Sequence, residues 1–414
     1  MAAGTLNIRH GWVWVFSLLI FFFNYFLLPG GLSYVLLLTP LWIYLLYATN
    51  RLKTTLVLLL PLVIYAFIHL LNGVNVGYYF VSLSMISALV FFVFAVYFLV
   101  NNYPINLDVI FRDIAILNFI LTVGCLPLLF LPAIRETVWY MVPLTDNLRL
   151  IPRLKLFASE AAHYSFLFAP IAIYFYSRVL FFKVSNPLLA LVIVTVPLIL
   201  SFSLGVLLGL AISGLLTCCV YFNRIFASRS KRMGVVLTAL GLSGLFILAF
   251  YLFPGNPLFF RIHNIFNGHD TSARGRTYEA FILANKIAAL KSYWWGIGPG
   301  QLKLIARDLV IQYYYYFKIP ETIRIPNAAA ETIAYFGYFG FAIRMLTELY
   351  LFVRTRVYAN PYRLWLFLFV FIYQFTGSYI TNVSEYIIWI LVFSNVFPEY
   401  ARSFSSSSKP SKQL

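Results

Sequence analysis

The chain has 414 residues, of which 62% are hydrophobic and 10% charged, and it carries a formal net charge of +17. Soluble domains carry about a quarter charged residues, so this composition excludes one, and no nucleic acid is expected as a partner. The apolar runs lack the alternation of outer-membrane strands, which leaves an all-α, polytopic transmembrane bundle with the lipid bilayer around it.

A span needs about twenty apolar residues, and twelve such runs can be read in chain order. They lie near Gly11–Leu28, Gly31–Ala48, Thr54–Leu71, Val76–Val100, Val109–Pro132, Ser159–Phe182, Pro187–Ser201, Ser203–Phe222, Gly234–Phe253, Asn327–Val353, Leu364–Ser378 and Ser384–Tyr400. The seventh is short and its boundary with the eighth is soft, so eleven is the alternative count. The first run reads as a retained span rather than a cleaved leader, because a second span follows Pro29-Gly30-Gly31 with no small-x-small site between them. Residues 1–402 form one membrane domain with two long outer loops at 133–158 and 254–326, and the polar segment 403–414 reads as a disordered cytoplasmic tail. Cys125, Cys218 and Cys219 all sit in apolar runs, which implies neither a disulfide framework nor a metal site.

With the N-terminus inside, fifteen Lys and Arg residues fall on the inner segments and none on the four short outer turns, as the positive-inside rule requires. Thirteen more fall in the two long outer loops: four bases against two acids in the first, nine against four in the second. Long loops are translocated whatever their charge, so the second can be read as merely solvated; the first is short enough for the rule to apply. The membrane interior reads as uncharged. Arg344 is placed near the inner edge, its pairing with Glu348 being a snorkelling ion pair, which counts against an ion-driven carrier.

Polar groups gather instead at the outer mouths of the sixth and tenth spans. Ser159 is a plausible N-cap, and Glu160 and His163, at i,i+3, share a helix face. A carboxylate beside an imidazole suits a general base, although spacing alone is met as simply by Glu160 complementing the helix dipole. Arg274-Gly275-Arg276 precedes a surface helix expected near 277–291, where two guanidiniums suit a phosphate. Gly296-Ile297-Gly298-Pro299-Gly300 forces a tight turn that lets backbone approach a ligand, or is simply a turn. Gln301–Lys318 reads as a helix lying in the interface, ending in the belt of Tyr313–Phe317. Arg324 leads into Pro326 and Asn327, with Glu331 one turn further.

Three of these segments, FASEAAHYSFLF at 157–168, the 274–300 stretch from RGRTYEAF to WWGIGPG, and PNAAAETIAYFGYFG at 326–340, resemble in order and topology the O-antigen polymerase and ligase superfamily of bacterial inner-membrane glycosyltransferases. The likeness covers roughly the C-terminal two-thirds of the chain. It implies a GT-C-like fold in the bacterial inner membrane, with both termini cytoplasmic. The donor it implies is an undecaprenyl-pyrophosphate-linked oligosaccharide presented at the periplasmic face. No cofactor or metal is implied, and a chain-length regulator and a flippase are implied as partners. Where the ligases carry a histidine before the asparagine, this chain has Pro326, which argues for a polymerase of repeat units over a ligase to lipid A-core. The two spaced Arg-to-Gly repeats of some polymerases are not found. A lipid-linked oligosaccharide flippase or transporter is the non-enzymatic alternative.

Pyrophosphate is already a good leaving group, so such a transfer needs cationic stabilisation of the departing charge and a base for the acceptor hydroxyl. The resemblance assigns the first role to Arg274 and Arg276, with Arg149, Arg153, Arg324, Asn327, Gly298 and Gly300 completing the donor site. Glu160 with His163 is the expected base, and Glu331 the reserve.

Overall fold

The computed structural model describes residues 10–26, 28, 32–141, 152–182, 184–225, 257–268, 270–314 and 323–401. Arg149, the expected ninth span, the segment after 402 and Tyr315–Phe317 lie outside the described residues.

Apolar runs with no period-two alternation become helices, and among the described residues the only strands are the antiparallel pair Trp139–Tyr140 and Arg153–Leu154. Among the described residues, five helices are long and apolar enough to cross a membrane: Leu52–Leu71, Val76–Asn102, Leu107–Phe130, Ala161–Phe181 and Ala328–Arg354. Side chains at their starts fix several boundaries. Asn75 and Asn106 accept from the backbone N–H three residues on, and Asn360 does so just before Pro361. Helix Ala161–Phe181 is the most buried of the five; Phe166 on it stacks on Tyr373 with ring centroids 4.4 Å apart. Five other apolar helices among the described residues are shorter, including Pro361–Tyr373 and Val383–Phe393.

The bundle has two distinct ends. At one, Lys291 Nζ donates to the Asn72 and Gly73 carbonyls, at 2.9 and 2.6 Å, and Gln301 exchanges hydrogen bonds with the Asn75 backbone. At the other, Arg178 reaches Tyr174 Oη at 2.7 Å and Asp108 at 3.5 Å, while Asn101 bonds Ser394 and Asn395. Each contact joins segments that the charge count puts on one side.

Gly337 breaks the 328–354 helix, with φ 65° and ψ −168°. Arg344 Nη1 donates to Thr332 Oγ1 at 3.2 Å although the two are twelve residues apart. In an unbroken helix that spacing is about 18 Å, beyond an arginine's reach, so the two halves turn on each other. The 293–298 loop fills the gap. Ile297 and Gly298 donate to the Ala334 and Tyr335 carbonyls, and Tyr338 and Phe339 donate to the Tyr293 and Trp294 carbonyls. The polar groups freed by the break thus find partners within the protein, as irregular backbone at membrane depth requires. A β-carbon at Gly337 would lie 2.2 Å from the Trp294 carbonyl oxygen.

That turn overturns the expectation of an uncharged interior with a snorkelling Arg344. The Arg344 side chain is 14% exposed and faces inward, pairing with Glu348 at 3.1 Å and with Glu385. It also donates to Gln374 at 2.9 Å, and Gln374 donates to Glu348. A charged network is therefore buried against the 374–382 connection, where Ser378 also donates to Glu385. The helix expected near 277–291 is present as Tyr278–Ala288. The one expected over 301–318 instead breaks at Ala306 into Leu302–Ile305 and Arg307–Tyr314. Leu302 and Val310 pack on Leu283, Ile287 and Ile297 in a small core of their own instead of facing lipid.

Candidate functional site at the loop end of the bundle

Helices Pro361–Tyr373 and Val383–Phe393 have 13 and 11 residues, about 20 and 16 Å of rise, against a hydrocarbon core of about 30 Å. The 374–382 connection between them consequently lies below the rim and floors a recess. Ala328 and Ala329 donate to the Gly377 and Gln374 carbonyls, which docks the start of the broken helix onto this floor. The turn Asn24–Phe26 and the mouth of helix Ala161–Phe181 supply the remaining walls.

His163 stands at the centre. Its Nδ1 lies 2.7 Å from Ser159 Oγ, and its ring packs edge-on to Tyr379 and tilted against Tyr25, with centroids 5.6 and 6.2 Å apart. Ser159 therefore spends its hydroxyl on the imidazole. Glu160, not Ser159, occupies the N-cap position, and its carboxylate makes no capping bond. Three charged groups act on the His163 ring: Glu160, Arg324 and Arg276. The Arg324 guanidinium lies over the Tyr379 ring, 4.3 Å from its centroid. Burial raises the Tyr379 hydroxyl above the ordinary phenol value, Arg324 opposing, and burial likewise raises Tyr25. Both hydroxyls stay protonated and can serve as donors. Tyr140 is also raised by burial and then by Glu160, with Arg153 and Arg276 acting against them, which puts the 139–154 ribbon against the same charges. Arg153 covers Tyr140 at 4.6 Å.

Asn327 is a clamp. Its Oδ1 accepts from Ala330 N at 2.8 Å, and its Nδ2 donates to the Arg276 carbonyl at 2.8 Å and the Phe375 carbonyl at 2.6 Å. One buried amide so joins the arginine-bearing loop, the broken helix and the recess floor, and all its polar atoms are engaged. Glu331 is buried too, with Oε2 accepting from Ile380 N at 2.7 Å; it holds the floor loop beside Tyr379.

Of the residues singled out by sequence, Glu160, His163, Arg276, Arg324, Asn327 and Glu331 come together here, with Arg153 at the edge on Tyr140. Arg274 does not join them. Its guanidinium pairs with Glu279 and donates to Tyr278 Oη at 3.0 Å and the Gly268 carbonyl at 3.3 Å. Gly298 and Gly300 have φ of 90° and 77°, but their open faces meet protein. A β-carbon would lie 3.2 Å from the Tyr79 ring at the first and 2.3 Å from the Tyr78 carbonyl oxygen at the second, so the turn packs on helix Val76–Asn102. Tyr25, Tyr140, Tyr373 and Tyr379 were not singled out: in a chain with 30 tyrosines, nothing local separates them from interfacial ones.

Charge balance defines what the recess can hold. Arg274 and Arg344 have carboxylate partners. Among the described residues neither Arg276 nor Arg324 has one within salt-bridge distance. Two part-buried guanidiniums thus lie beside the carboxylates of Glu160 and Glu331, the second of which accepts from the Ile380 N–H, and with neither arginine held in a salt bridge their donors remain to meet an anion by charge-assisted hydrogen bonds. The architecture is that of a helical protein with membrane-length helices and an arginine-bearing recess at one end. No protein-family model matches the chain, and no curated protein matches it.

Proposed function

We propose that the recess binds a polyprenyl-pyrophosphate-linked glycan and that the protein is a surface-polysaccharide polymerase joining undecaprenyl-pyrophosphate-linked repeat units at the periplasmic face. The observation that carries this reading is the pair Arg276 and Arg324, without carboxylate partners, beside Glu160 and His163. In the reaction, the acceptor hydroxyl oxygen attacks the anomeric carbon of the donor and the bond from that carbon to the pyrophosphate oxygen breaks. The hydroxyl proton passes to Glu160, whose carboxylate is not spent on capping. The charge left on pyrophosphate is met by the two guanidiniums, that of Arg324 stacked on Tyr379 and that of Arg276 carried on backbone that the Asn327 clamp fixes. Donors fixed before the reaction cost no reorganisation during it. On this reading the bundle is a GT-C-like one of about twelve spans in the inner membrane, with both termini cytoplasmic; a chain-length regulator and a flippase would work beside it. Transfer to lipid A-core, the ligase reaction, would use the same recess with a different acceptor.

A carrier of lipid-linked oligosaccharide is the second reading, and the buried Arg344, Glu348 and Glu385 network is what favours it, since buried ionisable groups within membrane helices mark transport paths. Purified protein given a defined undecaprenyl-pyrophosphate oligosaccharide separates the three. Extension of the glycan supports polymerase. Transfer only when lipid A-core is supplied indicates ligase. Movement of the lipid across vesicles with no new glycosidic bond indicates a carrier.

A further inference from the structure

Below the recess, the bundle contains a cavity of about 540 Å³, within the size range of ligand pockets. Helices His10–Phe23, Thr39–Ala48, Val76–Asn102, Leu107–Cys125, Ala161–Phe181 and Val383–Phe393 enclose it. Its lining is apolar except for Ser17, whose hydroxyl donates to the Val13 carbonyl at 2.8 Å, and the indole N–H groups of Trp12 and Trp42, the latter spent on the Val35 carbonyl. Nothing in the wall can hold water, which needs two to four polar partners, or a polar head group. The cavity instead offers continuous hydrocarbon contact.

Its position relative to the recess is the telling part. The upper wall includes Phe21, Leu167 and Ile387. Phe21 lies one helical turn from Tyr25, Leu167 one turn from His163, and Ile387 two residues past Glu385, a step of about 6 Å per turn. The lower wall reaches Val100 and Leu107, at the end of the bundle where Arg178 pairs with Asp108. At the side, Leu41 and Trp12 line the cavity and are themselves exposed, 38% and 71%, so it opens outward between helices His10–Phe23 and Thr39–Ala48. A recess bearing two arginines outside any salt bridge thus stands above an apolar slot with a lateral mouth. The occupant that satisfies both is one molecule with an anionic head and a long hydrocarbon tail.

We infer that this slot is the tail-binding site for the lipid whose head group occupies the recess: an isoprenoid chain enters between the first two apolar helical segments and runs down through the protein instead of lying along its outer surface. The inference rests on the reading of the recess as a lipid-pyrophosphate site. It adds that the enzyme measures its donor by the tail as well as by the phosphate, so donors with a truncated tail lose affinity.

The test uses the full-length protein in nanodiscs, with undecaprenyl pyrophosphate carrying a photoactivatable diazirine near the far end of its chain, and phosphatidylglycerol carrying the same group as the comparison. Mapping the cross-links should find the isoprenoid on the segments around Ile114, Ile171 and Ile387, at least fivefold above phosphatidylglycerol at equal mole fraction. Ile171→Trp, which fills the slot, should cut that labelling at least fivefold; Leu41→Trp, at the mouth and away from the core, should do the same and covers the case in which the first variant does not fold. Equal labelling by phosphatidylglycerol, or labelling unchanged by Leu41→Trp, would overturn the inference. Failure of the glycosyl-transfer reading leaves a different mark: slot labelling by the isoprenoid lipid with no glycan extension. Extension with no slot labelling does the reverse, removing the slot and keeping the transfer.

Discussion

Arg274 and Arg276 are two residues apart and look alike in the sequence, yet the structure gives them different neighbours. Arg274 points at Glu279 and Tyr278; Arg276 acts on His163, Tyr140 and Tyr373. Arg276→Ala and Arg324→Ala should each lower glycan elongation by on the order of 10²-fold, the cost of losing one preorganised donor at a developing anion, with protein abundance unchanged. Arg274→Ala should leave elongation within about twofold, because it lacks both the position and the uncompensated charge that the role requires. Near-normal polysaccharide length from Arg276→Ala and Arg324→Ala cells would remove the recess from the reaction. Arg324→Lys discriminates further: it keeps the charge but gives up the planar stack on Tyr379 and the bidentate grip, so it should recover only part of the loss. Among the described residues no group of three or more His, Cys, Asp or Glu comes together, and elongation is expected to continue in EDTA; restoration by added Mg²⁺ after chelation would contradict that.

The broken helix is the element on which the recess depends. Gly337 adopts a backbone conformation that other residues reach only with strain, and its missing β-carbon leaves room for the Trp294 carbonyl. Gly337→Ala should therefore cost about 1–3 kcal/mol from backbone strain, with the steric clash in addition, and should lower the thermal midpoint of the detergent-solubilised protein. An unchanged midpoint would mean the break is not needed for the fold. Arg344→Ala should cost more, about 3–5 kcal/mol, since it leaves Glu348 and Glu385 buried without their cation. Much of the element-level picture was legible in advance, because apolar runs of span length become helices by composition alone. The break was not. Residues 334–340 (AYFGYFG) read as a continuous apolar stretch, and only the docking of the distant 293–298 loop supplies the hydrogen bonds that make breaking the helix favourable. The same cause hid the buried charge: counting residues down an unbroken helix put Arg344 near the edge, where a turned helix puts it inside facing Glu385. In the site, Glu160, His163, Arg276 and Arg324 stood out by type and by position near span mouths. The tyrosines that orient them did not, because their roles arise from contacts between segments more than 50 residues apart, such as Arg324 on Tyr379 and Tyr25 beside His163.

For the molecule as a whole, sidedness decides between chemistries. The charge count and the contacts agree on which segments share an end. Lys291 reaches the Asn72–Gly73 turn, Arg178 reaches Asp108, and the Tyr221 hydroxyl bonds the Tyr358 carbonyl at 2.5 Å; no contact in this set ties a segment assigned outside to one assigned inside. A lipid-pyrophosphate donor presented in the outer leaflet can be reached only if the recess end is the outer end. The recess sits in loops carrying thirteen of the thirty Lys and Arg, against the usual bias of basic residues to the cytoplasm, so the orientation rests on the fifteen at the other end. With the three native cysteines replaced, a single cysteine at Ala289, beside Lys291, should react with a membrane-impermeant maleimide in intact spheroplasts. One at Asn102, at the end of helix Val76–Asn102, should react only after permeabilisation. The reverse pattern would put Arg276 and Arg324 in the cytosol, where the same recess could serve an enzyme that builds the lipid-linked precursor but not one that polymerises it outside.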